Sequence, residues 1–144
     1  MALDGVTIRR MTDEDLSQVN EISHSLFGKE RVSTWPQAVE AHWKHHRPTL
    51  SFVAEQDVQV IGFLLGGIRR ARRMVPLAGW IDIMGIHPGH QREGVGRRLV
   101  EAFSEECKKS SAVISVAIKK NDKPLKKFFN KMGFKDSDLI TLEK

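Results

Sequence analysis

The 144-residue chain contains no tyrosine and a single cysteine, Cys107. One cysteine excludes an intrachain disulfide framework and fits a reducing compartment, so the cytoplasm is the expected location. The absence of tyrosine removes the phenol from the available proton donors. No apolar run reaches the ~18 residues of a membrane span, and the longest, Val60 to Ile68, has the length of a strand. The amino terminus carries Asp4 and no hydrophobic stretch, which argues against a secretory signal. Repeats and low-complexity linkers are also missing, so one domain over residues 1–144 is expected.

What is present is an ordinary globular composition, 40% hydrophobic and 28% charged, which argues against a disordered chain. The net charge of +5 favours an anionic ligand or partner without naming one. Arg69, Arg70, Arg72 and Arg73 form the densest charge cluster. They lack the aromatic interleaving of a nucleic-acid surface and read better as a solvated connection, with an acidic peptide or an anionic substrate as the next reading. His42-Trp43-Lys44-His45-His46 places two imidazoles one helical turn apart. No nearby cysteine or paired carboxylate completes a metal site, so no metal is expected.

Hydrophobic periodicity orders the chain. Val6 to Arg10 reads as a strand, and Thr12 with three following acids reads as a helix start running to Phe27, stopped by Gly28. A second helix is expected from Pro36 to His46. Ser51 to Glu55 and Val58 to Leu64 read as strands joined by a short link at Gln56-Asp57. A central strand follows around Ile81, then a helix from Val95 to Lys109, a strand over Ala112 to Ile118, a helix from Lys123 to Met132, and a last strand or two at Phe134-Lys135 and Leu139 to Leu142. The order β-α-α-β-β-β-α-β-α-β describes a mixed α/β (α+β) sheet.

Gly79 to Leu99 is the organising stretch: an isoleucine-rich strand, a Pro88-Gly89 stop, and a glycine turn opening a helix whose apolar face is Val95, Leu99, Val100 and Phe103. Such a turn suits phosphate, because the first helical turn leaves N–H groups unpaired and its dipole favours negative charge. The P-loop pattern is absent, and the dinucleotide fingerprint fails because Leu99 stands where its third glycine would be. What remains is Gln91-x-x-Gly94-x-Gly96, which resembles motif A of the GNAT superfamily of N-acetyltransferases. Leu125-x-x-Phe128-Phe129-x-x-x-Gly133-Phe134 resembles its motif B, and the element order matches that family over nearly the whole chain.

The resemblance implies a mixed, mostly antiparallel sheet flanked by helices, with acetyl-coenzyme A as co-substrate. It assigns Met84, Gly85 and Ile86 to the pantetheine arm and acetyl carbonyl, with the N–H near Ile86 as an oxyanion donor. Gln91, Arg92, Glu93, Gly94, Val95, Gly96 and Arg97 would hold the pyrophosphate. Gly85 fits, since a strand glycine often marks a bulge or a close backbone approach. Asp82, placed by alternation on one face with Trp80 and Met84, is the candidate base, with a structural carboxylate as the equal alternative. A base matters most for a lysine amine, which is neutral in only about one part in 2,500 at pH 7. By the same resemblance the helices between Asp13 and His46, with Glu40, His42 and Trp43, lie on the acceptor side.

The motif B position that usually carries a tyrosine is Phe129, which cannot protonate the departing thiolate. Ser115, Asn121 or water are the alternatives, and the coenzyme-contacting position falls on Asn121 or Asp122. Cys107, inside a helix, reads as a core residue rather than a nucleophile. The expected activity is direct transfer of an acetyl group to a primary amine of a protein N-terminus, a lysine or a small molecule. A coenzyme A-binding sensor or partner module without catalysis, and a basic nucleic-acid-binding domain, are the readings from other classes. No membrane partner is expected, and a homodimer is left open.

Overall fold

The computed structural model describes residues 5–27, 39–46, 50–70, 76–110 and 112–144. Strand β1 (Val6–Arg10) leads through a 3-10 turn (Asp13–Asp15) into helix α1 (Leu16–Phe27). Of the expected second helix, residues 36–38 lie outside the described residues, as does the expected stop at Gly28. The described part of the second helix finishes in a π-helical turn (His42–His46). Strands β2 (Phe52–Gln56), β3 (Gln59–Arg69) and β4 (Ala78–Ile86) follow, then helix α2 (Val95–Lys109), strand β5 (Val113–Val116) and helix α3 (Lys123–Lys131). Among the described residues the sheet has five strands in sequence order, antiparallel from β1 to β4 and parallel between β4 and β5.

Gln56 pairs with Gln59, so the hairpin turn is Asp57-Val58, one residue beyond the link expected at Gln56-Asp57. Both residues have positive φ (52° and 66°), the mirror-image turn that matches strand twist. The left-handed region suits aspartate but not a β-branched valine, and Val58 is also 85% exposed. Val58→Gly should therefore stabilise the chain by about 1 kcal/mol. Urea unfolding of the two proteins reads this directly, with a raised midpoint expected.

Two apolar layers sandwich the sheet. On one face α2 and α3 deliver Val95, Leu99, Val100, Phe103, Cys107 and Phe129 onto Phe52, Ile61, Leu64 and Ile81. On the other, α1 and the preceding turn bring Met11, Val19 and Ile22 onto Val53, Phe63, Leu65 and Ile83. Each fully buried leucine or phenylalanine contributes about 1.5–3 kcal/mol. The α2 helix comes this close because β3 and β4 carry glycines beneath it: a Cβ at Gly66 would sit 2.6 Å from the Phe103 ring, and one at Gly79 would collide with Cys107 Sγ. Burial also pushes the Cys107 thiol up, with the neighbouring Glu106 charge adding to it, as befits a packing residue.

The start of α1 is locked by charge. Arg9 forms a bidentate pair with Asp15 (2.8 and 2.9 Å) and also reaches Glu55, tying β1, β2 and the helix start together. Asp15 accepts from the Thr12 N–H at 2.9 Å as well, a reciprocal cap like the one expected at Thr12. Burial would raise the Asp15 carboxyl, but the hydrogen bonds from Arg9 and Thr12 outweigh it and hold it below the usual carboxylate range. A carboxyl lowered in the folded state stabilises above its unfolded pKa, and that contribution is lost as pH falls through the folded value. Asp15→Asn should accordingly be less stable than the parent at pH 7. The gap should narrow in unfolding curves recorded at successively more acidic pH.

The expected closing strands are not formed. Residues 134–144 have no strand, and Leu139, Ile140 and Leu142 are exposed. Alternating apolar residues make a strand only where a partner accepts them, and β5 itself is four residues long with its Val113 exposed. Leu139 N–H is instead taken by Ser137 Oγ in a local turn. The sheet is otherwise the mixed, mostly antiparallel one expected, and the observed order closes on α3.

Candidate active site

The site is made by a register shift. β3 pairs Leu65 with Ile83 and Gly66 with Ile81, leaving Asp82 as the extra residue of a β-bulge. The bulge resets the alternation of side chains. Ile81 and Met84 pack toward α2, while Ile83 packs toward α1. Asp82 is directed to the α1 side, where it meets His42 from the π-helical turn. Asp82 thus shares a face with Ile83 and not with Met84, which corrects the expectation from simple alternation.

The same position ends the pairing of β4 with β5. That ladder runs from Ala78–Val113 to Ile81–Val116 and stops, while β4 continues to Ile86. Among the described residues, β4 beyond Asp82 is paired on the β3 side only. His87 N–H points to β3, where Ile61 accepts it at 2.8 Å, and the Ile86 carbonyl accepts from Gln91 Nε2 at 3.2 Å. Backbone groups change sides from one residue to the next along a strand. The N–H and C=O groups of Met84 and Ile86 therefore face the open edge, and those of Gly85 face β3. Gly85 is no bulge: a Cβ there would meet Leu26 at 2.7 Å and the Phe63 ring at 2.8 Å, so it is a packing glycine under α1.

Asp82 is surrounded by donors. Its Oδ2 lies 3.0 Å from His42 Nε2 and 3.2 Å from an Arg69 nitrogen, and its Oδ1 accepts from the second Arg69 terminal nitrogen. The Arg69 guanidinium also lies over the Trp80 ring, 5.7 Å from its centroid. Neighbouring Trp43 is fixed by its indole N–H to Asp13 at 2.7 Å. Lys44 and Glu40 pair at 2.8 Å on the exposed side of the same segment. A π-turn is a frequent device for presenting a functional side chain, and here it carries His42. Of the arginine cluster, Arg69 is exposed but belongs to the end of β3 and pairs with Asp82, and 71–75 lie outside the described residues.

The open edge of β4 runs into the expected anion loop. After a 3-10 turn (Pro88–His90), Arg92 has φ 63° and Gly94 has φ 88°, so two left-handed residues curl the backbone into the start of α2. The N-cap is Gly94, which has no side chain to cap the first-turn N–H groups of α2, and no other described side chain takes them. Glu93 is turned to His90 Nδ1 at 3.1 Å, and the Gln91 carboxamide is turned inward to the end of β4, so both side chains shape the loop. Val95 is buried core, and Gly96 lies against the Phe128 ring. Arg97 pairs with Glu101 along the helix, while Arg98 donates to the Val6 carbonyl at 2.9 Å and ties α2 to β1.

At the far side of the opening, Asp122 caps α3 by accepting from Leu125 N–H at 3.1 Å, while Asn121 stands exposed in the turn before it. Of the two candidates for the coenzyme-contacting position, Asp122 is thus also a helix cap. Phe129, expected at the cofactor, is 3% exposed, its ring 5.0 Å from those of both Phe128 and Phe134. It is a core residue. Among the described residues no three metal-ligating side chains come together, and no helix is long and apolar enough to cross a membrane.

The model of the acetyltransferase (GNAT) family matches residues 16–134. No curated protein matches the chain at the level of sequence. Among solved structures, a GNAT family acetyltransferase from Brucella melitensis in complex with acetyl-CoA has a TM-score of 0.74 at 20% identity, over 91% of this chain and 83% of that one. An aminoglycoside acetyltransferase from an uncultured soil metagenomic sample, in complex with sisomicin, reaches 0.77 at 16% identity over 100% and 98%. A ribosomal-protein-alanine N-acetyltransferase from Brucella melitensis biovar Abortus 2308 reaches 0.76 at 15% identity over 96% and 97%. At these identities the likeness is one of fold.

The enclosure of Phe129 carries a prediction. Phe129→Tyr places a hydroxyl in the packed phenylalanine cluster and should destabilise the chain by about 1–3 kcal/mol. Thermal unfolding checks it, with a lower midpoint expected.

Proposed function

Because the chain belongs to the acetyltransferase (GNAT) family, we propose that it transfers an acetyl group from acetyl-coenzyme A directly to a primary amine. The observation that carries this reading is the opening of β4 beyond Asp82, whose free backbone groups lead straight into the left-handed loop at the start of α2. A flexible arm of amides pairs with an open strand edge as a peptide strand would; Met84 offers its N–H and C=O for it and Ile86 its N–H, the Ile86 carbonyl being taken by Gln91. A pyrophosphate fits the uncapped first turn of α2, where Val95, Gly96 and Arg97 present main-chain N–H groups. Gln91 and Glu93 support this loop from within, and Gly94 supplies the backbone twist that only glycine adopts without strain.

Bound there, acetyl-coenzyme A supplies an activated thioester. The Ile86 N–H, pointing to the open edge, is the donor placed for a developing oxyanion, an interaction worth roughly 3 kcal/mol in other oxyanion holes. Deprotonation of the incoming amine falls to the group formed by Asp82, His42 and Arg69 on the α1 side of β4. The thiolate of a thiol with pKa ~8.5 leaves without a dedicated acid and takes its proton from water. Direct transfer fits better than a covalent enzyme intermediate, since the Cys107 thiol is buried under Gly79.

The acceptor is a protein N-terminus, a lysine side chain or a small-molecule amine. Solved structures of the same fold include an aminoglycoside acetyltransferase and a ribosomal-protein-alanine N-acetyltransferase, so the fold does not choose among them. The lack of any tyrosine favours one second reading, a coenzyme A-binding module without transfer.

Acetyl-coenzyme A at a hundredfold excess over its Kd should stabilise the chain by about 2.7 kcal/mol and raise its melting temperature by roughly 5–10 °C. In Gly94→Val, strained at φ 88°, that shift should disappear. An unchanged shift in the variant removes the loop from the binding site. No shift in the parent overturns the donor reading, and binding without thiol release across a broad amine and peptide panel favours the non-catalytic module.

A further inference from the structure

Arg9 and Arg69 each grip a carboxylate end-on, and only Arg9 has its remaining edge filled. Arg9 holds Asp15 through Nη1 and Nη2, and its side edge, Nε and Nη2, holds a second carboxylate, Glu55, at 3.2 and 2.9 Å. Arg69 holds Asp82 through the same two nitrogens. Among the described residues nothing takes its Nε–H or the second N–H of its Nη2, and the side chain is 49% exposed. A guanidinium presents its donors in a rigid fork matched to carboxylates. With Arg69 fixed on Asp82 and lying over the Trp80 ring, its side edge is preorganised for a second anion.

The surrounding groups suit the same ligand. The carboxylates that meet β4 and the His42 segment are taken: Asp82 by Arg69 and His42, Asp13 by the Trp43 indole, Glu40 by Lys44. An acceptor with several ammonium groups finds no unpaired partner among them. The Trp80 indole N–H is enclosed without an acceptor, a further donor in surplus.

Spacing decides what carries the anion. On the acetyltransferase reading above, on which this rests, the thioester carbonyl meets the Ile86 N–H. Ile86 is four residues along β4 from Asp82, about 13 Å at the rise of a strand. The amine and carboxylates of a single amino acid lie closer together than that. An extended peptide advances about 3.3–3.6 Å per residue, so one whose amine reacts at Ile86 brings its third or fourth side chain to Arg69.

We infer that Arg69 is a specificity-determining residue, whose free edge takes an acidic side chain at the third or fourth residue of a peptide acetylated on its N-terminal amine. Arg69 makes and breaks no covalent bond. It holds the peptide while the amine nitrogen bonds to the acetyl carbon and the carbon–sulfur bond breaks. The proton lost by the amine nitrogen goes to solvent, and the departing thiolate takes one from water.

Six-residue peptides identical except for glutamate or glutamine at the third and fourth residues test this on the full chain. With the parent, the glutamate peptide should exceed the glutamine peptide in kcat/KM by about tenfold, carried by KM. In Arg69→Gln both peptides should slow, because Asp82 loses its partner, and the ratio should fall to about one. Arg69→Lys keeps the charge but cannot fork onto two carboxylates, so its ratio should lie between. The thermal shift given by acetyl-coenzyme A reports that each variant is folded. A second measurement needs no turnover: with coenzyme A present, the N-acetylated glutamate peptide should bind the parent about tenfold more tightly than its glutamine counterpart. Only the glutamate peptide should move the Arg69 Nε–H resonance.

The assignment is overturned if the two peptides are equal in the parent, or if the preference survives in Arg69→Gln. It is equally overturned if free glutamate or a polycationic amine is acetylated faster than the glutamate peptide. A parent chain that binds acetyl-coenzyme A but acetylates no amine overturns the function instead, and the binding measurement then decides the role of the Arg69 edge by itself.

Discussion

One extra residue in β4 is the constraint on which the site depends. With Asp82 bulged out of the β3–β4 ladder, the strand bends, its pairing with β5 ends at Ile81, and the next residues keep a free edge. The bulge also turns Asp82 and Ile83 toward α1 in succession, so that a carboxylate appears on the face opposite the motif helix. A regular strand would have sent Met84 to the Asp82 side. The opening for a strand-like ligand and the separate acidic centre beside it follow from the same irregularity.

The layers around that strand are held close enough to keep the irregularity in place. Gly66 and Gly79 let Phe103 and Cys107 rest on the strands beneath α2, and Gly85 lets Leu26 and Phe63 close the other side. Arg9 binds β1, β2 and the start of α1 into one unit through Asp15 and Glu55. Polar groups near the opening are then used twice. Gln91 joins the loop to the last residue of β4, and Arg69 joins β3 to β4 while holding the charge of Asp82.

Much of this was legible in the sequence, and the failures have physical causes. The first four strands, α1, α2 and α3 follow from periodicity and caps because each is encoded by its own residues, though β3 runs on to Arg69, beyond the end expected at Leu64. Gly94 and Gly96 marked the start of the motif helix for the same local reason. Gly85 was read as marking a bulge or a close backbone approach, whereas the bulge is at Asp82, because register is a property of two strands and nothing within Gly79 to Ile86 states which residue its partner skips. Leu139 to Leu142 alternates like a strand but has no partner among the described residues. Phe129 and Gln91 were read as ligand contacts from position in a motif, with Asn121 or Asp122 beside them; the packing of Phe129 in the core, the brace from Gln91 to Ile86 and the cap by Asp122 are long-range or local contacts that motif position does not state. The contact of His42 with Asp82 spans 40 residues of chain and has no local signature. The sequence offered only the acceptor-side placement of His42.

The central claim is that the open edge of β4 beyond the bulge receives the acetyl donor. Amide hydrogen exchange resolved by residue, recorded with and without acetyl-coenzyme A, tests it most directly. The Met84 and Ile86 amides should exchange as unpaired groups in the free protein and become protected when acetyl-coenzyme A is added, together with Val95 to Arg97. Slow exchange of Met84 and Ile86 in the free chain, or protection at the α2 start with no change along β4, would contradict it.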